Sequence, residues 1–280
     1  QILSSNLVSN GDFSQEGVQE VSNGSFSQEG AEVSSDVNFD NPSNWTLTGQ
    51  STVSNGVAHI LQDNASNTGV TANTNITNKT YRITGVVSDY VSGSVGFASI
   101  GSTSPREAIP SQNGEFTIYY TSTRSTPSAW NIQRISSPCN LKIDNVSVKE
   151  VGQDWALTSS GDSSSNVIID NGSCQIISDG TLTGLTQTLV TTIGKTYKCT
   201  INISSVNNIG GGIAISNGNV FASSIATFTT AEIHTFYFKA TSTSVSIKRA
   251  SGLGGSIDYT IDNISVKEVG QDWTLGGTAT

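Results

Sequence analysis

The sequence has no methionine in 280 residues, not even at position 1. Its opening Gln1-Ile2-Leu3-Ser4-Ser5 carries neither the basic nor the apolar block of a signal peptide. The expectation is a terminus made by processing, or by excision from something longer. Charge is also scarce, at 12% of residues, and 13 Lys and Arg are outnumbered by 22 Asp and Glu for a net charge of −9. So few cations exclude nucleic acid as a partner, because neutralising phosphates needs clustered Lys and Arg. No run of 18 apolar residues is present, so no membrane insertion by a helix is expected. Helix formers are sparse, which argues against a bundle or coiled coil. The three cysteines are odd in number and lack CxxC spacing, so neither a disulfide framework nor a zinc ribbon is indicated.

What fills the chain is Ser (44), Thr (33), Gly (28) and Asn (24), together 46% of it. These small polar residues suit turns and solvent-facing strand positions. The 35% of hydrophobic residues lie in short alternating runs, the pattern of half-buried strands.

A repeat organises these strands. Ile143-Asp144-Asn145-Val146-Ser147-Val148-Lys149-Glu150-Val151-Gly152-Gln153-Asp154-Trp155 returns as Ile261 through Trp273, with only Val146→Ile264 changed, at a period of 118 residues. Trp45-Thr46-Leu47 matches Trp155-Ala156-Leu157 and Trp273-Thr274-Leu275. Asn55-Gly56 matches Asn171-Gly172, a hairpin signal, and Asn78-Lys79-Thr80-Tyr81 matches Gly194-Lys195-Thr196-Tyr197. Short strands at close spacing in units of this size predict an all-β chain of tandem jelly-roll β-sandwich repeats. The expected domains are 1–34, an N-terminal segment; 35–151, the first repeat; 152–270, the second; and 271–280, the cut start of a third. The N-terminal segment has its own echo, Ser9 to Gly17 recurring as Ser22 to Gly30 at a spacing of 13. One copy is expected to supply the first strand of the first sandwich, and the other a docking strand or a remnant of a preceding unit.

Several motifs resolve into structure. Gly194-Lys195-Thr196 resembles the end of a phosphate loop, but Leu189 stands where the earlier glycine is required, so it reads as a turn. Cys139, Cys174 and Cys199 align with Ile257, Ala58 and Ile83, which makes them core thiols, a Cys174–Cys199 bridge being the alternative. His59 and His234 have no catalytic or zinc partners in the sequence. Glu107, Glu115 and Glu232 form no marked pair for glycosidase chemistry, so the chain is read as non-catalytic. Trp45, Trp130, Trp155 and Trp273 sit in alternations that place them in cores. Tyr119 and Tyr237 point opposite to their apolar neighbours in both repeats and are the aromatic candidates for glycan binding.

A phase slip marks the closing strand. Apolar residues are odd-numbered up to Ile143 and even-numbered from Val146, and the slip recurs between Ile261 and Ile264. That is the signature of a β-bulge, which leaves carbonyls unpaired beside Asp144 and Asp262. Carbonyl and carboxylate oxygens suit Ca²⁺, the alternative being that each Asp simply hydrogen-bonds the bulged backbone and no cofactor is held.

Asn-Gly-Asp-Phe, the Trp-x-Leu strand, Gly-Lys-Thr-Tyr and the closing Ile-Asp-Asn-Val-Ser-Val strand together resemble the jelly-roll carbohydrate-binding-module superfamily. The wording of the closing strand resembles repeats in virion proteins of aquatic bacteriophages. The resemblance covers nearly the whole chain after Asp36. It implies a non-catalytic tail-fibre or appendage protein at the virion surface that adheres to host-surface polysaccharide, with other virion proteins or copies of itself as partners. The alternatives are a purely structural head fibre, capsid decoration or filament subunit, and accessory modules of a secreted bacterial enzyme. The resemblance also implies calcium between the first strand and the closing strand, again at Asp144 and Asp262. Here Ser14 and Ser27 stand where the family commonly has Glu, and the second repeat has only Gln153-Asp154 before its Trp.

Overall fold

The computed structural model describes residues 14–62, 67–103, 105–158, 165–170, 172–188, 191–207 and 210–271. Strands dominate, and one 3-10 turn, Pro42–Asn44, is the sole helical piece among these residues. In chain order the first ten strands are β1 (Glu16–Gln19), β2 (Glu29–Glu32), β3 (Trp45–Thr48), β4 (Thr52–Ser54), β5 (Val57–Gln62), β6 (Gly69–Ile76), β7 (Thr80–Ser99), β8 (Glu107–Ala108), β9 (Gly114–Thr121) and β10 (Ser128–Val151). Then follow β11 (Ala156–Thr158), β12 (Asn166–Asp170), β13 (Ser173–Ser178), β14 (Gly184–Thr188) and β15 (Thr196–Val206). The last five are β16 (Ile213–Asn217), β17 (Ser224–Phe228), β18 (Ile233–Lys239), β19 (Ser244–Arg249) and β20 (Ile257–Val269).

Two compact units emerge. One comprises Ser27–Gln153 with Ile168–Asp170; the other comprises Gln1–Phe26, Asp154–Val167 and Asn171–Thr280. The first is inserted in the sequence of the second, and we call them the inserted and the enclosing sandwich. The boundary at Gln153/Asp154 lies two residues from the limit drawn from the repeat, and residues 1–26 group with the enclosing sandwich, where β1 pairs with β20. The expected third unit, 271–280, lies outside the described residues except for Gln271.

In the enclosing sandwich one sheet runs β13-β20-β15-β18 with β1 on β20, and the other runs β11-β14-β19-β16-β17; β12, whose residues divide between the two units, pairs with β13. The chain crosses between sheets repeatedly, as a jelly roll requires. In the inserted sandwich two long bent strands, β7 and β10, serve both layers. The second half of β10 pairs β5 and the first half of β7, while its first half pairs β6 and the second half of β7. In the enclosing sandwich the same path is broken into β15 and β16, and into β19 and β20.

Alternation explains the strands. Along β15, Tyr197, Cys199, Ile201 and Ile203 are buried while Lys198 and Thr200 face outward. Trp45, Trp130 and Trp155 are all core residues, and Trp273 lies outside the described residues. Phe39 stacks on Trp45 at 4.4 Å between ring centroids, and Trp45 meets Trp130 edge-on at 5.5 Å. Cys139, Cys174 and Cys199 are free and buried, so the bridge alternative does not form. Burial pushes all three thiols up, Cys199 to about 12. Asn55 and Gly56 both take positive φ, 52° and 77°, the geometry of a tight hairpin turn.

Candidate functional site

Both closing strands carry the bulge read from the phase slip. The β10–β7 register shifts between Asp144 and Ser147, and the β20–β15 register shifts where Asn202 faces Asn263 and Ile203 faces Ile261. The first strand meets each bulge through one main-chain bond. Val146 N–H donates to the Val37 carbonyl at 2.8 Å, and Ile264 N–H to the Gly24 carbonyl at 2.9 Å. Asp144 accepts from the Asn145 backbone at 2.6 Å, and Asp262 from the Ser204 hydroxyl at 2.6 Å. Among the described residues no three His, Cys, Asp or Glu side chains converge as a metal-binding group. Each bulge thus offers one carboxylate, already hydrogen-bonded.

The two tyrosines lie on the outward face of the other half of the same sheets. In the inserted sandwich, Lys149 on β10 faces Arg82 on β7, which faces Tyr119 on β9. The next outward row is Ser147, Thr84 and Thr117. In the enclosing sandwich the rows are Lys267, Lys198 and Tyr237, then Ser265, Thr200 and Thr235, on β20, β15 and β18. Two cations, one tyrosine and three hydroxyls therefore recur in the same cross-strand order. Tyr237 is 62% exposed, whereas Tyr119 is half-buried.

A glutamate from the first strand completes each row. Glu29 pairs with Arg82 at 2.5 Å and Lys149 at 3.7 Å. Glu16 pairs with Lys198 at 2.6 Å and Lys267 at 3.1 Å. The hydrogen bonds from Lys198 and then Lys267 hold the Glu16 carboxyl below its ordinary 4.5, and Glu16 in turn raises Lys198 above 10.5. The four cations keep about a third of their side-chain surface exposed.

Residue-by-residue reading of the sequence found the tyrosines but missed Arg82, Lys149, Lys198, Lys267, Glu16 and Glu29. A signal existed for all six, since Glu16 and Glu29 match across the 13-residue echo. Lys149 and Lys267 occupy one position of the repeated closing strand, and Arg82 and Lys198 follow the matched Tyr81 and Tyr197. The histidines are structural: the His59 ring bonds Asn140 at 2.9 Å, and His234 stacks on Phe228 at 4.2 Å.

No family model matches the sequence, and no curated protein matches it. Among solved structures the chain is similar to the N-terminal CBM22-1-CBM22-2 tandem domain from Paenibacillus barcinonensis Xyn10C. That similarity has a TM-score of 0.35 at 10% identity, over 86% of this chain and 98% of that one. It is also similar to a Paenibacillus xanthan lyase, with a TM-score of 0.29 at 17% identity, over 80% of this chain and 25% of that one. A truncated AlyQ with CBM32 and alginate lyase domains gives 0.20 at 10% identity, over 90% of this chain and 97% of that one.

Proposed function

We propose that this chain is a non-catalytic, surface-displayed array of glycan-binding sandwiches. The observation that carries the reading is the row of two cations, one tyrosine and three hydroxyls, repeated on matching faces of both sandwiches. A sugar ring has an apolar face for an aromatic side chain and hydroxyls for N–H and O–H partners, which this row supplies side by side. Each row lies on the outward face of a sheet, where a single contact is expected to be weak. Two linked copies then gain avidity without any new contact.

The display context follows from the closing strand, Ile143–Trp155, and its resemblance to repeats of bacteriophage virion proteins. In that context the ligand is host-surface polysaccharide, the location the virion surface, and the partners other virion proteins or further copies. Accessory modules on a secreted bacterial enzyme would use the same face. Calcium at Asp144 and Asp262 is a separate proposal for the two bulges, whose carbonyl and carboxylate oxygens are of the right kind.

The test is electrophoresis of the intact chain through gels containing bacterial polysaccharides, alongside a glycan array. Retardation by at least one polysaccharide is expected, with Tyr237→Ala and Tyr119→Ala each weakening it about 10-fold, as loss of an aromatic contact of ~1.5 kcal/mol implies. A folded chain that no polysaccharide retards would leave the face a structural surface and the repeats spacers. For calcium, EDTA is expected to lower the melting temperature and Asp262→Ala to remove that response. An unchanged melting curve in EDTA ends that proposal.

A further inference from the structure

The 13-residue echo of the leader is two consecutive strand donors. Residues 16–26 complete the enclosing sandwich and residues 29–39 the inserted one. The correspondence holds position by position. Gln19 Oε1 accepts from Val266 N–H at 2.8 Å, and Glu32 Oε1 from Val148 N–H at 2.8 Å. Phe26 and Phe39 both stand at positive φ, 56° and 54°, and each packs on its own tryptophan, Trp155 and Trp45. Trp155 Nε1 donates to the Asn23 carbonyl at 3.2 Å, and Trp45 Nε1 to the Asp36 carboxylate at 2.9 Å.

The first donor is covalently continuous not with its own sandwich but with the second donor, through Ser27 and Gln28 alone. It is held in its own sandwich by main-chain bonds to β20, by Gln187 on both sides of Ser22 and by the Glu16 bridges. β1 pairs with β20 at Glu16–Val269 and Gln19–Lys267 with a register shift between them, and the segment buries two large apolar side chains, Val21 and Phe26, while Val18 is exposed. The inserted sandwich has its own donor, residues 29–39.

We propose that the groove along β20 is a strand-acceptor site that takes residues 16–26 of a second copy of this chain, so that copies link head to tail. The occupant fits by identity, since the same sequence fills the groove in each copy. Cis and trans occupancy differ only in effective concentration. Because the donor and the groove are different surfaces of one chain, two copies can exchange donors in a closed pair, and a donor passed on to each next copy extends an open chain.

Gly24 makes the groove selective. A Cβ there would overlap the Ile264 carbonyl oxygen. The matched donor position in the inserted sandwich is Val37, accommodated beside a bulge in which Asn145 takes φ 54°, a conformation its counterpart Asn263 does not adopt. Residues 29–39 therefore do not fit the groove of the enclosing sandwich, and the two similar donors are kept apart.

The test uses the full chain carrying Gln19→Cys and Lys267→Cys, which are cross-strand partners. The native thiols are buried and do not compete. The chain is refolded from denaturant over a range of concentrations, oxidised, and separated without reductant. Monomers with an internal crosslink are expected when dilute, and a ladder of dimers and longer species as the concentration approaches the millimolar order of a tethered segment. A single internally crosslinked monomer at every concentration overturns the proposal. For selectivity, a chain cut at a protease site placed between Ser27 and Gln28 is offered excess labelled peptide of residues 14–28. The native peptide is expected to be retained roughly 10-fold or more above its Gly24→Val version, as an overpacked contact implies. Equal retention of the two overturns the role of Gly24.

Discussion

Asp36 shows what a single side chain can hold. It is 8% exposed, and its two carboxylate oxygens accept from the backbone of Asp40 at 2.9 Å, the backbone of Asn41 at 3.1 Å and the Trp45 indole at 2.9 Å. One carboxylate thereby fixes the turn that leads into β3 and the orientation of a core tryptophan. Asp36→Ala strands these donors, and we expect a loss of about 2–4 kcal/mol in urea unfolding. Lys248 is the opposite case. It is 3% exposed, its ammonium donates to the Ala222 carbonyl, and burial lowers its pKa from 10.5. A folded-state pKa below the unfolded value means that charging Lys248 opposes folding at neutral pH, and that stability rises as pH climbs between the two values. Lys248→Met should raise the melting temperature, with a gain in stability on the order of 1 kcal/mol. A fall instead would show the ammonium–carbonyl bond to outweigh its desolvation. The thiols were legible from the repeat alone, since each aligns with an apolar residue. Neither Asp36 nor Lys248 was, because nothing local distinguishes a buried ion from a solvated one.

Among the elements, β1 and β2 carry the lesson. Their sequence echo was plain, but their destinations were not, since β1 pairs with a strand some 250 residues further along. The bulges were legible for the opposite reason: a slip in side-chain phase is a local property of one strand. The Glu16 bridge makes β1 docking sensitive to pH. With Glu16 held below 4.5, its contribution is complete above the ordinary carboxylate value and is lost as pH falls through the lowered one. With Lys198 raised above 10.5, its share is lost as pH rises through that raised value. Urea midpoints of the wild type and Glu16→Gln should therefore differ at neutral pH and converge in acid. A gap that persists at pH ~2 would rule out the ion pair as its cause.

For the whole molecule, the insertion of one sandwich within the sequence of the other predicts separable unfolding. Phe26, 2% exposed, belongs to the enclosing sandwich, and Phe39, 1% exposed, to the inserted one. Each Phe→Ala change should cost about 3–5 kcal/mol. In scanning calorimetry Phe26→Ala should lower the transition of the enclosing sandwich and leave the other in place, with Phe39→Ala doing the reverse. A single transition moved equally by both would contradict the division.

The sequence by itself determined the strands, the bulges, the buried thiols and the outward tyrosines, because each follows from alternation and from positions that match across the repeat. The tertiary structure decided which leader strand completes which sandwich, and it assembled the Glu16 and Glu29 bridges beside Tyr237 and Tyr119. Those outcomes rest on pairing between distant segments. Periodicity fixes which side of a strand a residue faces, but not which strand lies beside it.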